Sequence, residues 1–281
     1  MAYKTLVSAA VVAEHLQDNN WLIMDCRFDL SRPEAGLQSW QKSHIPGAVY
    51  VNLNEDMAGP HTTDSGRHPL PDPSVLANKL RGWGLNHDSQ AVVYDDAHGA
   101  IAARMWWLLR WLGHDRTALL DGGFDHWLQS GYPGNQETGE ARIGHFQERP
   151  DDTMWVDTSY IESMLENDNF ALIDARHPDR YSGAKETIDP EGGHIPTAVN
   201  HFFMNNIDPD TACFLSAEKL RERHTALLRK TTVHSCGSGV TACHNLLAME
   251  IAGLPMSPLY VGSWSEWIRD PKRRRARSNQ P

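Results

Sequence analysis

Short apolar runs separated by polar turns recur along the chain and predict an alternation of strands and helices. The runs W-L-I-M-D (21–25) and A-V-V-Y-D (91–95) are apolar up to a final aspartate, which is typical of strands buried on both faces. Ala102–Leu112 has a helical pattern, and Gly113 is placed to end that helix. Alternation of this kind predicts an α/β fold, a parallel sheet covered by helices.

The second half of the chain repeats the first. Leu6–Asp25 aligns without a gap on Trp155–Asp174 at an offset of 149 positions, and Val92–Trp127 aligns on Thr232–Trp267 at a constant offset of 140. Both copies continue from the first strand into an Asp-x-Arg pair and later contain His-Ile-Pro. Because these pairs and the closing tryptophans occur in both copies, we expect them to be structural. Repeats of this length indicate two domains rather than a solenoid.

The limits of the two copies predict domains at 1–135 and 150–271. The second copy has strands at 171–174 and 231–235 and a helix over 241–252. The join falls in 131–153, which is rich in Gly, Pro and acidic residues. The apolar start at 6–13 resembles a signal peptide, but its repeat lies in mid-chain, so we expect an unprocessed, cytoplasmic protein.

Composition narrows the possible partners. Of 281 residues, 40% are hydrophobic, which is enough for a core, and the formal net charge is -10. An acidic body repels phosphate backbones, so nucleic acid is not an expected partner. The basic tail Lys272–Arg277 is expected to be a solvated, frayed terminus. No apolar run is long enough to span a membrane, and four cysteines without a C-x-x-C spacing fit a reducing compartment.

The segment with the most chemical information is the loop Ser235–Ala242, S-C-G-S-G-V-T-A, between a predicted strand and a predicted helix. Its glycines permit a tight turn with inward N–H groups, and the helix N-terminus adds positive potential. A cysteine at the mouth of such a loop, Cys236, is favoured as the nucleophilic thiolate. The hydroxyls of Ser238 and Thr241 can bond to the sulfur or to an anion.

Simpler roles exist for the same residues. A single cysteine is often a small core residue, and Thr241 can serve only as a helix N-cap. The corresponding loop of the first copy is Asp95–Ile101, in which Asp96 replaces Cys236. We do not expect a core cysteine to be exchanged for a charged residue at a matched position. The favoured interpretation is therefore that only the second copy performs chemistry.

Two other cysteine chemistries are not favoured by these residues. A cysteine-dependent phosphatase needs an arginine six positions after the cysteine, and position 242 is alanine. A zinc site requires four convergent ligands, and the candidates do not point the same way on a strand–loop–helix unit. Those candidates are His234, Cys236, Cys243 and His244. We therefore expect no metal and no organic cofactor.

Taken together, the doubled domain, Asp-x-Arg, His-Ile-Pro, C-G-S-G-V-T (236–241) and G-S-W-S-E-W (262–267) resemble the tandem-rhodanese sulfurtransferases. The resemblance extends from about Leu6 to Trp267. Its most specific part, C-G-S-G-V-T, is similar to the loop of 3-mercaptopyruvate sulfurtransferases. Thiosulfate-preferring members typically carry basic residues there, whereas this loop is neutral. The resemblance implies two rhodanese-like domains, of which the N-terminal one is non-catalytic and the C-terminal one catalytic.

The resemblance also implies roles for matched residues. Cys236 matches the cysteine that carries a persulfide, and Ser238 matches a serine proposed to assist proton movement. Arg180 matches an arginine that binds the anionic end of the donor; without the resemblance, it is a surface residue paired with Asp179. His68 resembles a first-domain histidine that faces the active site. The remaining loop residues match the cradle around the sulfur: Gly237, Gly239, Val240 and Thr241.

Three departures from the family pattern concern the site. A second substrate-binding arginine is expected before the second His-Ile-Pro, but between Tyr181 and Gly193 the only basic residue is Lys185. The first-domain acid that assists catalysis in the family falls near Asn54, beside two acidic residues. His-Ile-Pro is followed by Gly in the first copy and by Thr197 in the second, which we expect to alter that turn.

The predicted activity is transfer of sulfane sulfur from 3-mercaptopyruvate, or alternatively from thiosulfate, through a Cys236 persulfide. The expected acceptor is cyanide, a small thiol or a thioredoxin-like protein. Two interpretations from other classes stay open at this point. One is a non-catalytic binding module, and the other is a redox sensor that uses Cys236 with Cys243.

Overall fold

The structure is a computed structural model that describes residues 2–139 and 143–278, without the side chain of Arg229. These residues form two compact units. The first comprises the described residues of Met1–Gly59, Pro71–Asp151 and Asp208–Phe214. The second comprises those of Pro60–Leu70, Asp152–Ile207 and Leu215–Pro281. Residues 60–70, from the first half of the chain, thus pack with the second unit. Residues 208–214, from the second half, pack with the first unit.

The first unit is a five-stranded parallel sheet with helices packed on it, in the strand order β1-β5-β4-β2-β3. Its strands are Leu6–Val7 (β1), Trp21–Asp25 (β2), Val49–Tyr50 (β3), Gln90–Tyr94 (β4) and Thr117–Leu120 (β5). Its helices are Ala9–Glu14 (α1), Ala35–Lys42 (α2), Pro73–Gly82 (α3), Ala102–Trp111 (α4) and Gly123–Gln129 (α5).

The second unit repeats this topology with the order β6-β10-β9-β7-β8, and all of its strand pairs are parallel. Its strands are Trp155–Val156 (β6), Phe170–Asp174 (β7), Val199–Asn200 (β8), Thr231–Ser235 (β9) and Leu259–Tyr260 (β10). Its helices are Thr158–Met164 (α6), Pro178–Ser182 (α7), Ala217–Thr225 (α8), Ala242–Ile251 (α9) and Ser263–Trp267 (α10). The predicted α/β class with two similar sheets is confirmed.

Both Asp-x-Arg pairs are buried ion pairs at the end of a strand. Arg27 donates from Nε and Nη2 to Asp25 at 2.6–3.0 Å, and Arg176 makes the matching bonds to Asp174 at 2.6–3.1 Å. Each Nη2 also donates, at 2.7 Å, to the backbone carbonyl just before His-Ile-Pro. The pairs therefore fasten the turn after the strand and have a structural role in both units.

The turn after His-Ile-Pro has the same backbone conformation in both units. Gly47 adopts φ +79° and Thr197 adopts φ +69°, so the expectation that threonine alters the turn is wrong. A β-branched residue is strained in this left-handed region. The second unit keeps the turn in spite of that strain.

The basic tail is packed rather than frayed as far as Ser278. Trp267 Nε1 donates to the carbonyl of Arg274 at 2.9 Å, and Ala276 forms a β-bridge with His194. Arg273 Nε donates to Glu162 at 2.8 Å. The expectation of a solvated terminus is therefore wrong for this part of the tail, because it closes the second unit as the segment at Asn135 closes the first.

The segment between the two repeats also packs on the first unit. Phe146 is fully buried, and its N–H donates to the carbonyl of Leu85 at 3.0 Å. Arg149 N–H donates to the carbonyl of Leu112 at 2.8 Å. Part of the predicted join, residues 140–142, lies outside the described residues. Among the described residues, no helix is both long and apolar enough to cross a membrane.

Candidate active site

The candidate loop begins where β9 ends, beside the Asp-x-Arg strand. Ser235 pairs in register with Asp174, and Cys236 follows with only 2% of its surface exposed. The N–H of Cys236 donates to Ser263 Oγ at 3.0 Å, and its carbonyl accepts from the N–H of Trp264 at 3.1 Å. The first turn of α10 therefore fixes the backbone of the cysteine on both sides.

Gly239 is required by the geometry of the loop. It adopts φ +75°, and a Cβ at this position would lie 2.6 Å from the carbonyl oxygen of Val261. A larger residue would be strained and would also displace the neighbouring strand end. The glycine that the sequence placed in the cradle is thus explained by two independent constraints.

A series of backbone N–H groups follows Cys236 without partners. Within 2–139 and 143–278, nothing accepts a hydrogen bond from the N–H of Gly237, Ser238, Val240 or Thr241. Thr241 stands at the N-cap of α9, but its side chain makes no capping bond there, so capping does not explain it. Unpartnered N–H groups at a helix start are suited to hold negative charge.

Ser238 and His68, two candidate residues that the family resemblance supplied, lie side by side. His68 Nδ1 lies 2.8 Å from Ser238 Oγ, and both residues are buried. His68 belongs to the segment Pro60–Leu70, which packs with the second unit. The neighbouring Arg67 N–H donates to Ser265 Oγ on α10 at 3.0 Å, which fixes the segment beside the loop.

Arg180 is half-buried and is paired with Glu186 and Asp189 rather than with Asp179. Its Nε donates to both oxygens of Glu186, at 2.8 and 3.0 Å, and its Nη2 donates to Asp189 at 2.8 Å. Its guanidinium lies 3.4–3.6 Å from the point that a Cβ of Gly237 would occupy. The predicted donor-binding arginine is therefore adjacent to the loop, and two carboxylates orient it.

Arg67 is a site residue that the sequence reasoning missed. Its Nη2 lies 2.9 Å from the point that a Cβ of Gly237 would occupy, and its Nη1 is paired with Asp189. Burial, followed by repulsion from Arg180, lowers the pKa of Arg67 to about 10, so it is still cationic at neutral pH. The available signal was its position next to His68. Lys185, the basic residue noted in the sequence, is exposed.

The other candidate residues have simpler surroundings. Cys243 is buried on α9, and its Sγ donates to the carbonyl of Gly239 at 3.4 Å. All four cysteines are free thiols. Asp56, near the position of the family's acid, is held in the first unit by Lys79 at 2.6 Å. Within the part of the chain that the structure describes, no group of three or more His, Cys, Asp or Glu could hold a metal ion.

The corresponding loop of the first unit holds a carboxylate of its own. Asp95, which aligns with Ser235, accepts from the N–H groups of Ala97 and Gly99 through Oδ1, at 2.9 and 2.8 Å. Its Oδ2 accepts from Ile101 and Ala102 at 2.9 and 2.8 Å. The N–H groups at this helix start are therefore already occupied by an internal anion.

Comparison with known proteins agrees with this doubled architecture. The Rhodanese-like domain model matches the chain twice, at residues 8–130 and 157–270. A protein of Pseudomonas aeruginosa named "Probable 3-mercaptopyruvate sulfurtransferase" is 46% identical over 279 residues, 97% of this chain and 98% of that protein. The "Thiosulfate sulfurtransferase" of Bos taurus is 31% identical over 280 residues, 95% of this chain and 92% of that protein.

A solved structure extends the likeness to three dimensions. The 3-mercaptopyruvate sulfurtransferase from Leishmania major has a TM-score of 0.82 at 28% identity, over 94% of this chain and 74% of that chain. The chain belongs to the rhodanese family and contains two of its domains. It is an enzyme of the sulfurtransferase class.

Proposed function

We propose that this enzyme moves the sulfur of 3-mercaptopyruvate to an acceptor through a persulfide on Cys236. The domain at 150–271 performs the chemistry, and the domain at 1–135 is non-catalytic. The observation that carries the proposal is the cysteine followed by unpartnered N–H groups on a loop fixed by α10. The full-length relative with 46% identity, named as a sulfurtransferase for that donor, supports the choice of substrate.

The first step transfers one sulfur atom. The Cys236 thiolate attacks the thiol sulfur of the donor, an S–S bond forms, and the C–S bond breaks with its electron pair on carbon. The carbon, now an enolate, takes up a proton and leaves as pyruvate. The negative charge on the outer sulfur is stabilised by the N–H groups of Gly237, Ser238, Val240 and Thr241, as oxyanion-type donors stabilise oxygen.

The step also moves a proton from the donor's sulfur to its carbon. Ser238 Oγ lies 2.8 Å from His68 Nδ1, which is a hydrogen-bonding distance suited to proton relay. We assign the relay to this pair because both groups are buried and adjacent to the loop. Arg180 holds the carboxylate of the donor through charge-assisted hydrogen bonds.

The second step regenerates the thiolate. A small thiol, cyanide or a thioredoxin-like protein attacks the outer sulfur, and the S–S electron pair returns to Cys236. Each turnover begins from a free Cys236 thiolate, which a reducing compartment preserves, and we place the enzyme in the cytoplasm on that basis. Neither step needs a metal or an organic cofactor.

Thiosulfate is the second candidate donor. The loop is neutral, but the guanidiniums of Arg67 and Arg180 lie against Gly237 and are paired with Glu186 and Asp189. Their N–H groups that face the loop can donate to a dianion. The relative from Bos taurus is named a thiosulfate sulfurtransferase.

The donor assignment is tested by kcat/KM for both compounds, with one acceptor and at one ionic strength. We expect 3-mercaptopyruvate to be preferred by roughly five- to a hundred-and-fifty-fold, the range of one lost complementary interaction. Release of pyruvate in proportion to transferred sulfur checks the first step. A clear preference for thiosulfate refutes the donor assignment.

A further inference from the structure

The guanidinium groups of Arg67 and Arg180 approach the same point beside Gly237. Each has N–H groups there that bind no described residue. Arg180 uses Nε and Nη2 on Glu186 and Asp189, whereas its Nη1 has no partner among the described residues. Arg67 uses Nη1 on Asp189, and neither its Nη2 nor its buried Nε has a described partner. The carboxylates therefore orient both arginines without consuming the edges that face the loop.

The unused edges converge closely enough to bind one anion. Arg67 Nη2 and Arg180 Nη1 lie 2.9 and 3.6 Å from the point that a Cβ of Gly237 would occupy. An oxygen near that point would accept from both arginines. Any side chain at position 237 would fill the space, which explains a glycine there. Cys236 precedes this glycine in the chain and lies close enough to Arg67 to act on its charge, so an anion held there is near Cys236.

We infer that Arg67 is the second arginine of the donor-binding site and that it holds, with Arg180, the anionic end of the donor. This inference rests on the proposed function. Arg67 takes the place of the second arginine that the family has between Tyr181 and Gly193, where this chain instead has Glu186 and Asp189, which position the two arginines. Asp189 links the two guanidiniums through its two oxygens and is a positioning residue.

The charges around Arg67 are consistent with an anion site. Arg180 and Arg176 oppose the positive charge of Arg67, whereas Cys236 and Glu186 favour it. Burial further lowers the pKa of Arg67. A bound carboxylate offsets both the repulsion from the other arginines and the effect of burial, because it adds negative charge and hydrogen bonds where the guanidinium of Arg67 is unsatisfied.

The test compares how fast Cys236 is alkylated by two reagents that differ in charge. Both iodoacetate and iodoacetamide form an S–C bond and release iodide, but only iodoacetate carries a carboxylate. Rates are measured by peptide mapping of the Cys236 adduct in wild type, Arg67→Ala and Arg67→Lys. Arg269→Ala is the matched control, because Arg269 also contacts the 60–70 segment, at Ser65 and His61, without approaching the loop.

We expect Arg67→Ala to lower the iodoacetate-to-iodoacetamide rate ratio by about ten- to a hundred-fold, the range for a lost charge-assisted hydrogen bond. Arg67→Lys retains part of the ratio, and Arg269→Ala retains all of it. A general change in the reactivity of the Cys236 thiol alters both rates by the same factor, so it leaves the ratio unchanged. An unchanged ratio in Arg67→Ala, or an equal loss in Arg269→Ala, overturns the inference.

The same variants are then assayed with 3-mercaptopyruvate. We expect Arg67→Ala to raise KM by about ten-fold or more while Arg269→Ala stays within about two-fold. The alkylation ratio needs no sulfur transfer, so a failure of the proposed function leaves that test valid. If Arg67→Ala does not fold, Arg67→Lys decides: an intermediate ratio supports the site, and a wild-type ratio with wild-type KM contradicts it.

Discussion

The two units use the same strand–loop–helix element for opposite purposes. In the first, Asp95 supplies a carboxylate that accepts four backbone N–H groups at the start of α4. In the second, the matched residue is Ser235, whose hydroxyl donates to the carbonyl of Ile173 instead. The N–H groups of the loop bind an internal carboxylate in the first unit, whereas four of them bind no described residue in the second. Under the proposed function, this position and the neighbouring position of Cys236 together determine whether the element stabilises the fold or performs chemistry.

The contrast explains why the first unit retains the scaffold without the nucleophile. Asp96 occupies the position of Cys236 and is exposed at the surface, but partial desolvation, followed by repulsion from Asp95, raises the pKa of Asp96. A thiolate in the same place would also be repelled by Asp95.

The largest expected effect comes from moving the internal anion into the second unit. In Ser235→Asp the new carboxylate takes the cradle N–H groups and repels the thiolate. Loss of such donors reduces turnover by about a hundred-fold or more, and we expect at least that reduction in sulfur-transfer kcat. Ser235→Ala, which leaves the cradle open, is the matched control and stays near wild type. An active Ser235→Asp enzyme would contradict the role assigned to the open cradle.

The reciprocal change weakens the first unit. Asp95→Asn replaces a carboxylate by a group with one acceptor oxygen, so bonds to four N–H groups are weakened or lost. We expect the free energy of unfolding to fall by about 3 kcal/mol, as for buried bonds to a charged acceptor. Asp96→Asn, at the exposed neighbouring position, should change it by less than about 0.5 kcal/mol. Urea unfolding measures both, and equal effects would show that Asp95 has no special role.

Acid should destabilise the second unit more than the first. Tyr94 hydrogen-bonds Asp25 at 2.7 Å, whereas its counterpart, His234, is buried with no described partner for either ring nitrogen. Burial lowers the pKa of His234 to about 3 and, with Arg223 nearby, that of His201 to about 4. These pKa values lie below the ordinary histidine pKa of 6.5. At pH values between them and 6.5, the unfolded chain therefore binds more protons than the folded chain.

The stabilisation from neutral histidine is therefore present above pH 6.5 and lost on acidification. Each such histidine contributes a slope of up to about 1.4 kcal/mol per pH unit. We expect His234→Phe to reduce the loss of stability between pH 7 and pH 5, measured as the shift in urea midpoint. If the variant and the wild type lose stability in parallel, His234 is not the acid-sensitive group.

The smallest effect concerns the matched turns at Gly47 and Thr197, which share a positive φ. Replacement of a strained β-branched residue by glycine relieves about 1 kcal/mol after the entropy of glycine is counted. Thr197→Gly should therefore raise the urea midpoint slightly, and Gly47→Thr should lower it. A stabilising Gly47→Thr would mean that the turn is not strained by threonine.

The sequence predicted the parts of this molecule that depend on neighbours in the chain. The buried strands, the loop around Cys236 and the repeat all follow from local patterns, and the strand Trp21–Asp25 matches its prediction residue for residue. The remainder depends on distant contacts. His68 and Ser238 are 170 positions apart, and only a family resemblance connected them. Arg67 matches no motif. Its proximity to the loop depends on the packing of the 60–70 segment beside the loop, which local sequence patterns do not predict.

The most direct test of the whole account is the mass of Cys236 after treatment with 3-mercaptopyruvate in the absence of an acceptor. We predict a gain of one sulfur atom, located on the peptide that contains Cys236, absent from Cys236→Ser and removed by cyanide. Cys236→Ser should also lose sulfur transfer, because oxygen cannot form the persulfide. An unmodified Cys236 in the wild type, a disulfide with Cys243, or equal sulfur gain in Cys236→Ser would contradict the persulfide mechanism.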